Sequence, residues 1–311
     1  MAVTAREKEY TPARPTEKAT PAKTKFLDLS GRGLVYLILI VGAILFTAPW
    51  VWMISASFQP RGDMFNWPPT WWPEHFTIKN YQNFLKAAGI ARWFFNSAII
   101  AFSVVGLQVF FNSLAAYTFA KRNFPGRDAI FIFMLGTLMI PGVVFLIPNY
   151  IILQHIPLFG GNNILGQGGH GWLDSLVGLI IPSAVSVWGI FFFRQYMKSI
   201  PDEMIDAARI DGASEFRIYW QIALPLSGPA LAFNAISTFT WNWNDFFWPF
   251  LVISSPELRT VQLGLALFVV KNRTAWDQVM AGSVLATLPV LLIFLFFQKY
   301  FIRGISLTGM K

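Results

Sequence analysis

Residues 201–230 read PDEMIDAARIDGASEFRIYWQIALPLSGPA, a charged and mostly helical stretch in a chain otherwise built for lipid. Pro201 suits the first turn of a helix, and Asp202 and Glu203 favour its positive N-terminal end. Asp211-Gly212 breaks that helix, and Ser214 with Glu215 starts a second one. Leu224-Pro225 ends the second helix. The reading is two short helices joined by a glycine bend, set between hydrophobic spans. A soluble partner can grip such an element from the water side; an ordinary surface loop is the plain alternative.

The composition points to a membrane protein independently. Hydrophobic residues make up 55% of the chain and charged residues 13%, against roughly 25% charged in a typical soluble domain. The net charge of +8 does not imply nucleic-acid binding, because the basic residues fall in particular loops. The chain has no cysteine, which excludes disulfides, thiolate metal sites and cysteine nucleophiles.

Residues 1–32 form a polar tail with seven basic residues and three prolines, a composition that cannot bury a core and is expected to be disordered. The first apolar run, 34–54, is followed by Ser55-Ala56-Ser57, which mimics a signal cleavage site. A signal h-region is only about 7–15 residues long, whereas a run of about 20 has the length of a bilayer span, so it reads as an uncleaved membrane helix. Five more spans are expected at 94–119, 129–153, 176–193, 230–251 and 280–301, with Pro141, Pro148, Pro182 and Pro289 in or near them. The fold class is therefore all-α integral membrane, with six transmembrane helices in residues 33–311 and a cytoplasmic element at 201–225.

Basic residues set the orientation. With the N-terminus inside, the cytoplasmic segments hold 17 of the 24 Lys and Arg residues and the outer loops hold 7. The positive-inside rule then places both termini and the 201–225 element in the cytoplasm. The outer segment 56–92 carries Trp67, Trp71 and Trp72, which fit an interfacial belt or a partner-docking surface equally. The segment 158–172, LFGGNNILGQGGHGW, reads as a flexible external loop. His75, His155 and His170 are isolated, so no metal site is expected.

The 201–225 stretch resembles the EAA loop of ATP-binding-cassette importer permeases. That pattern is E-A-A, three residues, Gly, about nine residues, then I-x-L-P. Asp206-Ala207-Ala208, Gly212 and Ile222-Ala223-Leu224-Pro225 match it, with Asp206 in place of Glu as the one departure. The segments NSLAAYTFAKRNFPGRD (112–128), FFFRQYMKSIPDE (191–203), WNWNDFFWPFLV (241–252), TVQLGLALF (260–268) and AGSVLATLPVLLIFLFFQKYFIRGISLTG (281–309) extend the likeness over nearly the whole chain. They resemble the carbohydrate-uptake branch, and within it the second, maltose-type permease subunit. The long N-terminal tail and the glycine-rich 158–172 loop depart from that pattern.

The resemblance implies a mechanism. Two different permease subunits form the path, an ABC ATPase dimer docks beneath them, and an extracytoplasmic sugar-binding protein delivers the solute. The EAA helix serves as the coupling helix, and the matching positions here are Glu203, Asp206, Ala207, Ala208, Gly212 and Phe216. ATP and Mg would sit on the partner ATPase. The chain itself contains no Gly-Lys dipeptide, hence no phosphate-binding P-loop, and it lacks H-E-x-x-H and G-x-S-x-G. It reads as a transport subunit, not an enzyme.

The fifth span carries the solute-path candidates. Asn234, Thr238, Trp241, Asp245 and Trp248 fall at steps of four, three, four and three, the spacing of one helical face. Sugars offer hydroxyls to Asn and Asp, and C–H faces to Trp. Interhelical hydrogen bonding plus an aromatic belt explains the same row. Gln108 and Asn112 read as interhelical hydrogen-bonders, and Gly282, Ser283 and Ala286 as a packing patch. Two rival readings stand beside the sugar importer: a self-contained secondary transporter with Asp245 as its coupling carboxylate, and an importer permease for glycerol-3-phosphate or another non-sugar solute.

Overall fold

In the computed structural model residues 29–308 are described, apart from 69, 88 and 272–274. Among the described residues every regular element is helical. A backbone in lipid has no water to bond, and a helix satisfies its polar groups within its own segment. The helices are α1 (Leu29–Ser57), α2 (Lys79–Lys86), α3 (Ile90–Lys121), α4 (Arg127–Thr137), α5 (Leu146–Gln154), α6 (Leu176–Ile180) and α7 (Val187–Lys198). They continue as α8 (Asp202–Ile210), α9 (Glu215–Ile218), α10 (Leu224–Leu226), α11 (Gly228–Asn244), α12 (Phe247–Val252), α13 (Val261–Lys271) and α14 (Trp276–Thr308).

The chain divides into two compact units, residues 1–51 and 52–311. In the first, helix starts at Leu29, so residues 29–32 of the expected tail already belong to α1. The rest of that expected tail, residues 1–28, lies outside the described residues. Gly33–Ser57 is an apolar helix of 25 residues, roughly 37 Å at 1.5 Å per residue, enough for a hydrocarbon core of about 30 Å.

The second unit is built on α3, against which α6, α7, α11 and α13 pack. Helix α14 packs on α11, α2 and α13. One apolar core gathers Tyr117, Phe131, Phe193, Ile205 and Tyr219 beneath the 201–225 element. A second joins Phe84, Trp93, Phe239 and Trp243, and a third joins Ile100, Leu153, Leu179 and Val252.

Four described helices are long and apolar enough to cross a membrane: Gly33–Ser57, Ile90–Lys121, Leu176–Lys198 and Trp276–Gln298. The number rises to six if each of two bent pairs is one span. The first pair breaks the expected 129–153 span: Arg127–Thr137 and Gly142–Gln154 meet at 91°, with Pro141 in extended conformation at the joint. Proline lacks the N–H that would continue the ladder. The second pair joins Glu215–Leu226 to Gly228–Asn244 at 80°. The expected 230–251 span is also interrupted, because α11 ends at Asn244 and Asp245 is extended before α12 begins.

Small and polar residues bring the helices together. A Cβ on Gly282 would lie 2.6 Å from the Phe84 ring, and the neighbouring Ala286 carbonyl accepts a hydrogen bond from Trp243 Nε1 at 2.9 Å. This is the close approach that a small-residue patch permits. Deeper in the bundle, Gln108 Nε2 donates to the Ser183 carbonyl at 2.8 Å and its Oε1 accepts from Thr238 Oγ1 at 2.9 Å. Asn112 Oδ1 accepts from the Ser186 N–H at 3.0 Å. The two polar residues of α3 thus bridge α7 and α11, as interhelical hydrogen-bonders should.

The glycine-rich 158–172 segment is a folded loop rather than the flexible one its composition suggests. Asn162 is buried; its Nδ2 donates to the Gln154 and Ile156 carbonyls at 2.8 and 2.9 Å, and its Oδ1 accepts from the Gly169 N–H at 2.8 Å. One buried amide organises the backbone that the glycines leave free.

Candidate functional site

The site is built on residues 201–226. Pro201 stands before the first turn of α8, and Asp202 and Glu203 occupy that turn, where the helix dipole favours carboxylates. Ile205 is the buried anchor of α8, while Glu203, Asp206 and Ala207 face outward. The helix stops in a Schellman motif. The Ala213 N–H bonds the Ala208 carbonyl and the Gly212 N–H bonds the Arg209 carbonyl, both at 3.0 Å. Gly212 supplies the left-handed residue that this cap requires, with φ +78°. A Cβ added there would meet nothing within 4 Å, so backbone conformation, not crowding, selects glycine.

Ser214 then caps α9 by accepting from the Arg217 N–H at 3.4 Å. Helix continues past the expected stop at Leu224-Pro225. A π-helical turn, Tyr219–Ala223, leads into α10, and the bend comes at Ser227. A widened turn ahead of Pro225 accommodates a residue that has no N–H to give.

Charged groups fix this element to the end of α3. Glu215 Oε1 accepts from Arg209 Nε at 2.9 Å and from Arg122 Nη1, and Glu215 Oε2 accepts from Tyr117 Oη at 2.8 Å. Lys121 Nζ donates to Asp202 Oδ1 at 2.6 Å and to the Ile200 carbonyl. Arg209 also reaches Asp206 at 2.8 Å and the Lys121 carbonyl at 3.2 Å. Burial pushes the Glu215 carboxyl up, but hydrogen bonds from Arg209 and Tyr117 outweigh it and hold the group below its ordinary value. The hydrogen bond from Lys121 holds Asp202 low in the same way.

The outward side of the element carries Ile210, Phe216 and Trp220, which are 87%, 56% and 52% exposed. Phe216 stacks on Trp220 at 6.3 Å. Glu203, Asp206 and Ala207 are exposed as well, Ala208 is half-buried, and Gly212 is at the bend. The six residues expected to act together therefore belong to one continuous element. Asp206 already pairs with Arg209, although it keeps most of its surface open. The spacing argument missed Tyr117, Arg122, Arg209 and Glu215. Tyr117 and Arg122 are 98 and 93 residues from Glu215, so no local pattern announces them.

The row on the fifth span does not stay on one face. Asn234 is fully buried, and neither side-chain polar atom has a hydrogen-bond partner among the described residues. Thr238 points inward to Gln108. Trp241 is 79% exposed. Asp245 lies beyond the helix, where its carboxylate caps α12 through the Trp248 N–H at 3.4 Å. Trp248 turns to the Gly178 carbonyl at 3.1 Å. Trp241 and Asp245 do border a common cavity of about 640 Å³, together with Ser237, Thr240, Asn244 and Phe247. Asn234 and Thr238 do not line it. Ser237, Thr240 and Asn244 were missed because the row followed Asn234 and Thr238, whereas Ser237, Thr240, Trp241 and Asn244 form the neighbouring face of α11 that lines the cavity.

Residues 108–307 match the family described as binding-protein-dependent transport system inner membrane component. The chain is 34% identical over 262 residues to the arabinooligosaccharides transport system permease protein AraQ of Halalkalibacterium halodurans, covering 83% of this chain and 89% of that one. It is 31% identical over 279 residues to the sn-glycerol-3-phosphate transport system permease protein UgpE of Yersinia enterocolitica, covering 87% and 94%. Among solved structures, a chain of a bacterial ABC transporter involved in the import of the acidic polysaccharide alginate superposes with TM-score 0.74 at 22% identity. That match covers 89% of this chain and 100% of the other. A second, from a bacterial alginate ABC transporter in complex with a pentasaccharide-bound periplasmic protein, gives TM-score 0.60 at 16% identity over 87% and 94%.

Proposed function

The chain belongs to the binding-protein-dependent transport system inner membrane components, and from that membership we propose that it forms half of the translocation path of an ATP-driven sugar importer. A second, different permease subunit supplies the other half. An ABC ATPase dimer binds ATP and Mg and docks on the 201–226 element, and an extracytoplasmic binding protein delivers the solute. Both termini and the docking element face the cytoplasm, in keeping with the 17 to 7 split of basic residues.

The observation that carries this reading is the exposed side of residues 201–226. Ile210, Phe216 and Trp220 are exposed on a short two-helix element whose back is tied by charged hydrogen bonds to the end of α3. Exposed aromatic anchors beside carboxylates are what a protein partner buries. Glu203, Asp206, Ala207, Ala208, Gly212 and Phe216 form the docking set, with the small residues permitting close approach. A sugar is supported over glycerol-3-phosphate by the cavity beside Trp241, which joins aromatic faces to Asp245 and Asn244 and has no basic residue in its lining. An aromatic face suits the C–H side of a sugar ring, and a lining without a basic residue offers a phosphate no counter-charge. Asp245 is engaged as a helix cap, which does not favour a free coupling carboxylate in a self-contained transporter.

The test is reconstitution. Purified in mild detergent, the chain should bring down a second permease and an ATPase dimer, and uptake into liposomes should require ATP and loaded binding protein. Transport by this chain alone would overturn the proposal.

A further inference from the structure

The docking surface explains where an ATPase would push, but not how the push reaches the spans. We propose that Glu215 is the positioning residue that locks the docking element to the cytoplasmic end of α3, so that α8, α9 and α3 move as one body. This rests on the coupling role proposed above for residues 201–226.

Three observations carry it. First, Glu215 joins both parts of the joint: it accepts from Arg209 on α8 and from Tyr117 and Arg122 at the end of α3. Charge-assisted bonds of this kind are about twice as strong as neutral ones and more exacting in geometry. Second, the charged contacts lie at the edge of the apolar core. Tyr117 and Tyr219 pack in that core with rings 5.7 Å apart, and a groove of about 410 Å³, lined by Tyr117, Arg122, Glu215, Phe216 and Tyr219 among others, opens beside them. Apolar packing holds the two surfaces together, and the directional contacts of Glu215 fix their register at the open edge. Third, α3 leads straight to the polar cluster of the bundle. Gln108 is nine residues before Tyr117, roughly 14 Å along the helix, and it bonds both the Ser183 carbonyl beside α7 and Thr238 on α11. A displacement of α8 is thus delivered to the hydrogen bonds between α3, α7 and α11. Packed and hydrogen-bonded elements of this kind transmit coupling when they have two arrangements to choose between.

The joint predicts uncoupling rather than loss of assembly. In the complete transporter, Glu215→Ala should still co-purify with the ATPase and hydrolyse ATP in response to loaded binding protein. Uptake per ATP should fall about tenfold, the scale expected for lost charged hydrogen bonds. Glu215→Asp keeps the charge on a shorter side chain and should fall between the two. Because the chain contains no cysteine, Tyr117→Cys with Glu215→Cys introduces a unique thiol pair. A short thiol-reactive linker across that pair should restore uptake per ATP, and the same reagent on either single variant should not. A role confined to stability would show neither the split between hydrolysis and uptake nor the rescue. Wild-type uptake per ATP in Glu215→Ala overturns the proposal. So does a linked pair that stays uncoupled, or a Glu215→Ala chain that fails to assemble with the ATPase. Failure of the coupling reading itself would appear earlier, as an unmodified chain that binds no ATPase.

Discussion

The two ends of the polar helix system treat their polar groups in opposite ways. At the 201–226 element Glu215 has three donors and Lys121 two acceptors, and the whole element is held at the end of α3. On α11, Asn234 is fully buried with no hydrogen-bond partner among the described residues, Thr238 is hydrogen-bonded, and Trp241 stands in the open. Satisfied charges at an exposed edge build a rigid surface, the kind that the proposed partner could push. Unsatisfied or exposed polar groups inside a bundle are costly to keep, which marks the middle of α11 as the part whose surroundings must complete it.

The strongest way to break this contrast is at Gly212. With φ +78° and open space around it, a side chain there costs about 1–2 kcal/mol in backbone strain, and a β-branched one more. Gly212→Val should leave the spans inserted, dislocate the Schellman cap, and abolish both uptake and binding-protein-stimulated ATP hydrolysis. Full stimulation in that variant would remove the rigid surface from the comparison.

The interior can be sharpened by a matched pair. Gln108→Leu strands the Ser183 carbonyl and Thr238 hydroxyl and should destabilise the detergent-solubilised protein by about 1–3 kcal/mol. Asn234→Leu removes an amide that satisfies nothing and should be neutral or mildly stabilising. Thermal unfolding of the two variants in parallel decides it, and equal losses would mean that Asn234 has a partner after all.

The cavity beside α11 gives the next effect. Asp245→Asn keeps an equally good helix cap, so any fall in uptake reports solute contact rather than folding. Trp241→Ala should lower uptake several-fold while the ATPase still co-purifies. Unchanged uptake in both variants would assign this wall to lipid or to the second subunit.

The charged joint also has a pH signature. The carboxyls of Glu215 and Asp202 are lowered in the folded protein. Their contribution is therefore complete above the unfolded values, about 4.3 for Glu and 3.9 for Asp. It is lost as pH falls through the lower folded values. Amide exchange in residues 201–218 should stay flat from neutral pH down to about pH 5 once corrected for intrinsic rates, and rise only in stronger acid. Loosening between pH 8 and 6 would contradict the joint. The smallest effect belongs to Asp206→Glu. That carboxylate is largely exposed and pairs with Arg209 three residues on, and the longer side chain reaches the same partner, so uptake should remain near wild type.

The sequence by itself determined what is local. Four of the apolar runs of span length, the glycine bend at 212, the serine cap at 214 and the acidic first turn of α8 each depend on residues within a few positions of one another, and each is found in place. Bilayer thickness and helix-end chemistry leave such segments few alternatives. Only the tertiary structure decided what depends on distant partners. The helix breaks at Pro141 and Asp245 removed two uninterrupted spans, and the break after Asn244 sent Asp245 and Trp248 off the face that their spacing suggested. The folded 158–172 loop turned on one buried asparagine that composition cannot single out. Glu215 found Tyr117 and Arg122 more than 90 residues away. A period of 3.6 residues tells which side chains share a face only while the helix lasts, and it does not tell which neighbour that face will meet.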